Sequence, residues 1–129
     1  MTALAWRLGD SQRDVSQGLI EPYRLAEHVL AVCRGNLGLP TETRVEFLPI
    51  DTWGEWDPAT PRVVKLSVRL LEPEYHHLIP YCVGHECRHL SINLASRTGA
   101  VPNHYILDAD WNERLADLYG EIVAERFRL

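Results

Sequence analysis

The sequence has no cluster of lysine or arginine, no apolar run near the roughly 20 residues that span a bilayer, and only three cysteines. With a formal charge of -5 and a pI of about 5.6, it lacks the basic footprint of a nucleic-acid binder. DNA, RNA and anionic membrane are therefore not expected partners. The opening MTALAWRLGDSQRD lacks the charged, apolar and cleavage regions of a secretory signal, so a cytoplasmic chain is expected. Cys33, Cys82 and Cys87 are an odd count in no disulfide framework, and the last two would point different ways from one helix. They read as reduced, buried small side chains in a reducing compartment. No internal repeat, low-complexity stretch or second domain is evident.

What is present suits one domain. A chain of 129 residues with 46% apolar side chains can bury roughly two-thirds of the surface that its unfolded form exposes. Residues 1–18 mix charge, Ser, Gln and Gly without periodicity and read as an N-terminal extension, leaving 19–129 as the domain. Leu25, Val29, Val32 and Cys33 recur at helical spacing from Glu21 to about Asn36, with Pro22 in the first turn and glycines 35 and 38 at the end. Residues 44–50 alternate through Val45 and Phe47 before Pro49 and predict a short strand. Residues 51–61 carry Gly, two Pro and Asp and predict an exposed loop bearing Trp53 and Trp56. In residues 62–71, Val64, Leu66, Val68 and Leu70 alternate with Lys65, Ser67 and Arg69, which predicts a strand with one packed and one wet side. A long helix is expected from near Pro80 to before Gly99, and a last one from about Asp110 to Phe127.

The long helix contains H-E-C-R-H, residues 85–89. Positions four apart share a helix face at about 5–6 Å, so His85 and His89 can aim two imidazole nitrogens at one zinc ion. Glu86 flanks that point without ligating, where it would meet a zinc-bound water, take its proton and return it to a leaving amine. Chance alone would produce this pattern in roughly one shuffled chain of this composition in fifty, so a third ligand is needed. A third histidine six residues on is excluded, because Ala95 stands there. An acid on a following helix is the other source. In N-E-R-L-A-D, residues 112–117, Glu113 and Asp117 share a face, continued by the small Gly120 and Ala124 that would let the two helices approach closely. Glu113 would complete a zinc site, with Asp117 accepting the free ring N–H of a ligating histidine, His85. Read alone, Asp110-x-x-Glu113 is also a capping arrangement and Asp117 an ordinary exposed acid.

His85-Glu86-x-x-His89 followed by Asn112-Glu113-x-x-Ala116-Asp117 resembles the gluzincin metallopeptidases. With the strand-like 62–71 upstream in so small a chain, it looks like the ImmA/IrrE-type metallopeptidases and the minigluzincins. The likeness covers about residues 62–127. It implies an α+β, zincin-like domain: a twisted mixed sheet packed on the HExxH helix, with a glutamate helix beside it. It further implies Zn2+ held by His85, His89 and Glu113, Glu86 as general base, Asp117 as orienter, and residues 62–71 near the sheet edge, where an extended peptide can add. Specific cleavage of an intracellular regulatory protein is the activity implied.

Two departures bear on this. Arg88 lies 60° round the helix from His85, where a guanidinium would oppose a cation unless it is neutralised or snorkels away, and Ser91 stands where an apolar residue is usual. Tyr105 and His104 are candidates to stabilise the developing oxyanion, against the plainer reading as connector residues. His76 and His77 are candidate stray ligands or exposed side chains, and Trp53 and Trp56 either line a pocket or cover the core edge. Two other functions stay open: a zinc-stabilised regulatory or protein-binding module without turnover, and a metal-free helical interaction domain. Oligomeric state is left open by the sequence.

Overall fold

The computed structural model describes residues 21–97 and 109–128. They form three helices and a three-stranded mixed sheet, an α+β arrangement. Helix α1, Pro22–Leu37, starts with Pro at N1, where the missing N–H costs nothing, and ends at Gly38 in the left-handed region. Its buried stripe is Leu25, Ala26, Val29, Leu30 and Cys33. The expected Val32 is only half-buried, so the stripe turns toward Ala26 and Leu30.

Strand β1, Arg44–Leu48, runs parallel to β3, Val63–Ser67, and β2, Gly54–Trp56, pairs with β3 antiparallel. The order β1-β3-β2 corrects or refines three expectations. First, the strand of residues 62–71 stops at Ser67. Ser67 is buried, and its Oγ accepts the Arg69 N–H at 3.1 Å, capping a 3-10 turn, Val68–Leu71, that leaves Val68 exposed and buries Leu70. A local side-chain cap overrides the alternating pattern. Second, of the positions at or near the sheet edge, β3 takes the inner one, and the strand bordering the cleft is its neighbour β2. Third, the expected loop of 51–61 contains the edge strand β2, whose three residues are too few to display a period.

A second 3-10 turn, Pro73–Leu78, leads into α2, Ile79–Arg97, with Pro80 in its first turn. Its buried residues, including Ile79, Val83, Cys87, Leu90 and Ile92, sit on several sides because α1, α3 and the sheet all pack on it. Full burial of each such aliphatic side chain contributes about 1.5–3 kcal/mol. Helix α3, Ala109–Arg126, packs beside α2, and the reason is steric. A Cβ on Gly84 would lie 2.9 Å from Val123 Cγ2, and one on Gly120 would lie 2.8 Å from Tyr81 Cε1. Only glycines allow this approach. Among the described residues no helix is long and apolar enough to cross a membrane.

Candidate metal centre

His85 and His89 project from the middle of α2, one turn apart, and their rings meet edge-on with centroids 5.0 Å apart. Glu113 comes to them from the second turn of α3, carried there by the glycine seam. His85 Nε2 lies 3.2 Å from Glu113 Oε1 and 3.3 Å from Oε2, and His89 Nε2 lies 3.3 Å from Oε1. Glu113 thus turns its carboxylate to both histidines. One ligand atom from each of the three residues lies within 4.8 Å of the others, so the cluster can hold a metal ion. Zinc bonds of about 2.0–2.1 Å at tetrahedral angles put neighbouring ligand atoms roughly 3.3 Å apart, which the histidine-to-glutamate separations match. Two imidazole nitrogens and a carboxylate are also the donor set that zinc accepts. Burial lowers the pKa of His89 below its ordinary value, and so favours the neutral ring that a ligand needs.

His85 Nδ1 lies 3.1 Å from Asp117 Oδ1. That oxygen sits off the line of the ring N–H, so the buried Nδ1 has an acceptor in reach but not an aligned hydrogen bond. Tyr81 donates its hydroxyl to the same Asp117 Oδ1 at 2.9 Å. Burial first, and then Asp117, pushes the Tyr81 phenol far above its ordinary range, so it remains a donor.

Glu86 is only 7% exposed and fits between α2 and β2. Gly54 of β2 faces it: a Cβ there would stand in ordinary contact, 3.4 Å, with Cγ and Oε2 of Glu86 and more tightly, at 3.3 Å, against the Lys65 carbonyl. Its Oε2 lies 3.9 Å from His85 Nε2, beside the ligand cluster but not within it. Burial, then the charges of Glu113 and Glu55, push the Glu86 carboxyl up to about 8. That shift favours the protonated carboxyl near neutral pH.

The cluster opens into a cleft of about 410 Å³ bounded by β2, α2 and α3, with Trp56, Pro58, Asn93 and Asn112 on its walls. Among the described lining residues there is no lysine or arginine. Ser67 N–H bonds to the Trp53 carbonyl, so in the antiparallel ladder Glu55 faces Lys65 with its backbone groups while those of Gly54 and Trp56 point outward at the sheet edge. The Trp56 indole is pinned by donating to the Pro61 carbonyl at 3.0 Å.

The remaining sequence candidates separate clearly. Arg88 stays out of the cleft: its Nη1 donates to Ser91 Oγ at 3.0 Å, and it lines a groove with Leu37, Leu118 and Tyr119. Ser91, the other departure, is thereby its partner. His76 Nε2 donates to the Leu71 carbonyl at 3.0 Å and holds the 3-10 segment, while His77 is exposed. Trp53 packs on Tyr75, lies under the Arg69 guanidinium at 4.2 Å and lines a pocket of about 170 Å³ with Tyr81, His85 and Glu86, while Trp56 faces the cleft of about 410 Å³. Cys33, Cys82 and Cys87 are free and buried. His104 and Tyr105 lie outside the described residues. Sequence reasoning missed Gly54, Gly84 and Tyr81. The available signal was Gly84 beside His85, and Tyr81 one turn before it on the same face. Comparison of the chain with protein-family models, curated proteins and solved structures gives no match.

Proposed function

We propose that this chain is a zinc-dependent endopeptidase of the gluzincin type, similar to the ImmA/IrrE-like and minigluzincin enzymes, acting on an intracellular regulatory protein. The observation that carries the reading is the convergence of His85, His89 and Glu113 from two helices at ligand spacing, with a buried carboxylate, Glu86, directly beside them.

His85, His89 and Glu113 would hold the ion, and Asp117 would accept the outer N–H of His85. Zinc, when bound, supplies a Lewis acid and makes water nucleophilic near neutral pH. Glu86 takes the proton of the attacking water and passes it to the leaving nitrogen. Its tendency to hold a proton suits the second transfer, and a neighbouring dication favours the ionised form needed for the first. The outward backbone groups of Gly54 and Trp56 can pair with an extended peptide laid across the cleft. Arg88 donates to Ser91 and does not line the cleft.

Metal content and proteolysis of a protein mixture, measured for the parent and for Glu86→Gln, test the reading. Zinc is expected in both, with cleavage reduced about 10²- to 10⁴-fold in the variant. Zinc in both with cleavage in neither identifies a zinc-stabilised binding module instead. No stoichiometric zinc, even after reconstitution, ends the metal reading.

A further inference from the structure

Resting on that metal reading, we propose that Tyr81 is a positioning residue of the centre: its hydroxyl holds Asp117 against the outer nitrogen of His85 and so sets how His85 presents itself to the ion. Tyr81 lies four residues before His85 on α2, with ring centroids 5.6 Å apart. One oxygen, Asp117 Oδ1, serves both the Tyr81 hydroxyl at 2.9 Å and His85 Nδ1 at 3.1 Å.

The Asp117 side chain is 53% exposed, so nothing in its burial restricts its rotation. Its approach to His85 Nδ1 also falls short of alignment. A small turn of the carboxylate therefore decides whether the histidine is oriented, and the Tyr81 hydroxyl is a second anchor on that carboxylate. Tyr81 is itself seated by α3. Its ring and carbonyl occupy the place of a side chain at Gly120, where a Cβ would come within 2.9 Å of Cδ1 and 3.0 Å of the Tyr81 oxygen. One helix thus supplies the carboxylate and the socket for the residue that steadies it. Phenylalanine fits that socket equally well, so the hydroxyl can be removed while the packing is kept.

The test is a cycle of zinc affinities on the full chain, by competition with a chromophoric chelator, for the parent, Tyr81→Phe, Asp117→Ala and the double variant. Tyr81→Phe should weaken zinc binding about three- to tenfold, less than the 10- to 100-fold typical of a direct partner of a ligand. In the Asp117→Ala background, where the acceptor is gone, it should add nothing further. The cobalt-substituted Tyr81→Phe protein should show shifted visible bands. Undiminished affinity in Tyr81→Phe, or an equal loss in both backgrounds, overturns the proposal. Should Tyr81→Phe lower the melting temperature of the metal-free protein, para-aminophenylalanine at position 81 restores a donor and must recover the affinity; failure to do so also overturns it. A parent that binds no zinc removes the metal reading itself, an outcome distinct from a parent that binds it and a variant that binds it equally well.

Discussion

Helix α2 meets its two helical neighbours by different means. Toward α1 the contact is filled: Val29, Leu30 and Cys33 pack in one fully buried core with Val83, Cys87 and Leu90. Toward α3 it is emptied. Gly84 and Gly120 replace side chains with backbone, Val123 fits against Gly84, and the polar groups of Tyr81, His85, His89, Glu113 and Asp117 border the seam. The first interface supplies stability through volume, and the second supplies closeness, which brings a carboxylate of one helix within 3.3 Å of two imidazoles of another. One helix can thus stabilise on one side and gather groups able to hold a metal ion on another, because volume packing and close helix approach require opposite residue sizes.

The largest effect expected of this contrast is on the filled side. Leu30→Ala should lower stability by about 2–5 kcal/mol, as for other buried leucines, while zinc affinity of the folded protein stays within about twofold. Chemical unfolding and chelator competition on the same variant check both halves. A large loss of affinity would mean that the two interfaces are not separable.

Next comes the buried acid between α2 and the sheet. A carboxyl raised from 4.5 to about 8 in the fold disfavours the native state wherever it must ionise. The metal-free protein therefore carries no such penalty below the unfolded value of 4.5, loses stability as pH rises through the interval to about 8, and levels off above it. The loss should reach a few kcal/mol, and Glu86→Gln should remove it. Unfolding of the chelator-treated protein across pH 5–9, with and without the substitution, reads this directly. A flat profile in the parent would mean that water reaches Glu86.

Gly84→Ala probes the emptied side. Its Cβ would meet Val123 Cγ2 at 2.9 Å, so α3 must shift, at about 1–3 kcal/mol of stability. Because α3 carries Glu113 and Asp117, zinc affinity should fall too, whereas Leu30→Ala leaves it alone. Unchanged affinity would show that the ligands do not depend on the glycine seam.

This contrast also sorts what was legible in the sequence. His85 and His89 could be read because their spacing is local helix geometry, and Glu113 and Asp117 because they repeat one helical face. The buried stripe of α1 was legible for the same reason, displaced only from Val32 to Ala26 and Leu30. What escaped depends on partners far along the chain. Gly84 has meaning only once Val123 faces it, and Tyr81 only once Asp117 stands 36 residues on. The length of β3 was misread because a single serine hydroxyl, capping the Arg69 N–H, outweighed a good alternating pattern. A composition of apolar and polar letters cannot rank those two local forces.

Arg88 gives the smallest expected effect and the sharpest check on where the seam divides the helix. Helical spacing brings it within 60° of His85, which on sequence grounds threatens the ion. In the fold the two line different spaces: His85 lines the cleft, and Arg88 lines the groove of Leu37, Leu115 and Leu118, bonded to Ser91 Oγ at 3.0 Å. A half-buried cation hydrogen-bonded in a separate groove is partly screened from the centre. Arg88→Gln should therefore leave zinc affinity within about twofold of the parent and cost at most about 1 kcal/mol of stability. If removing the guanidinium instead tightens zinc binding by about tenfold, roughly 1.4 kcal/mol, its charge reaches the ligands, and the seam does not separate the two sides as argued.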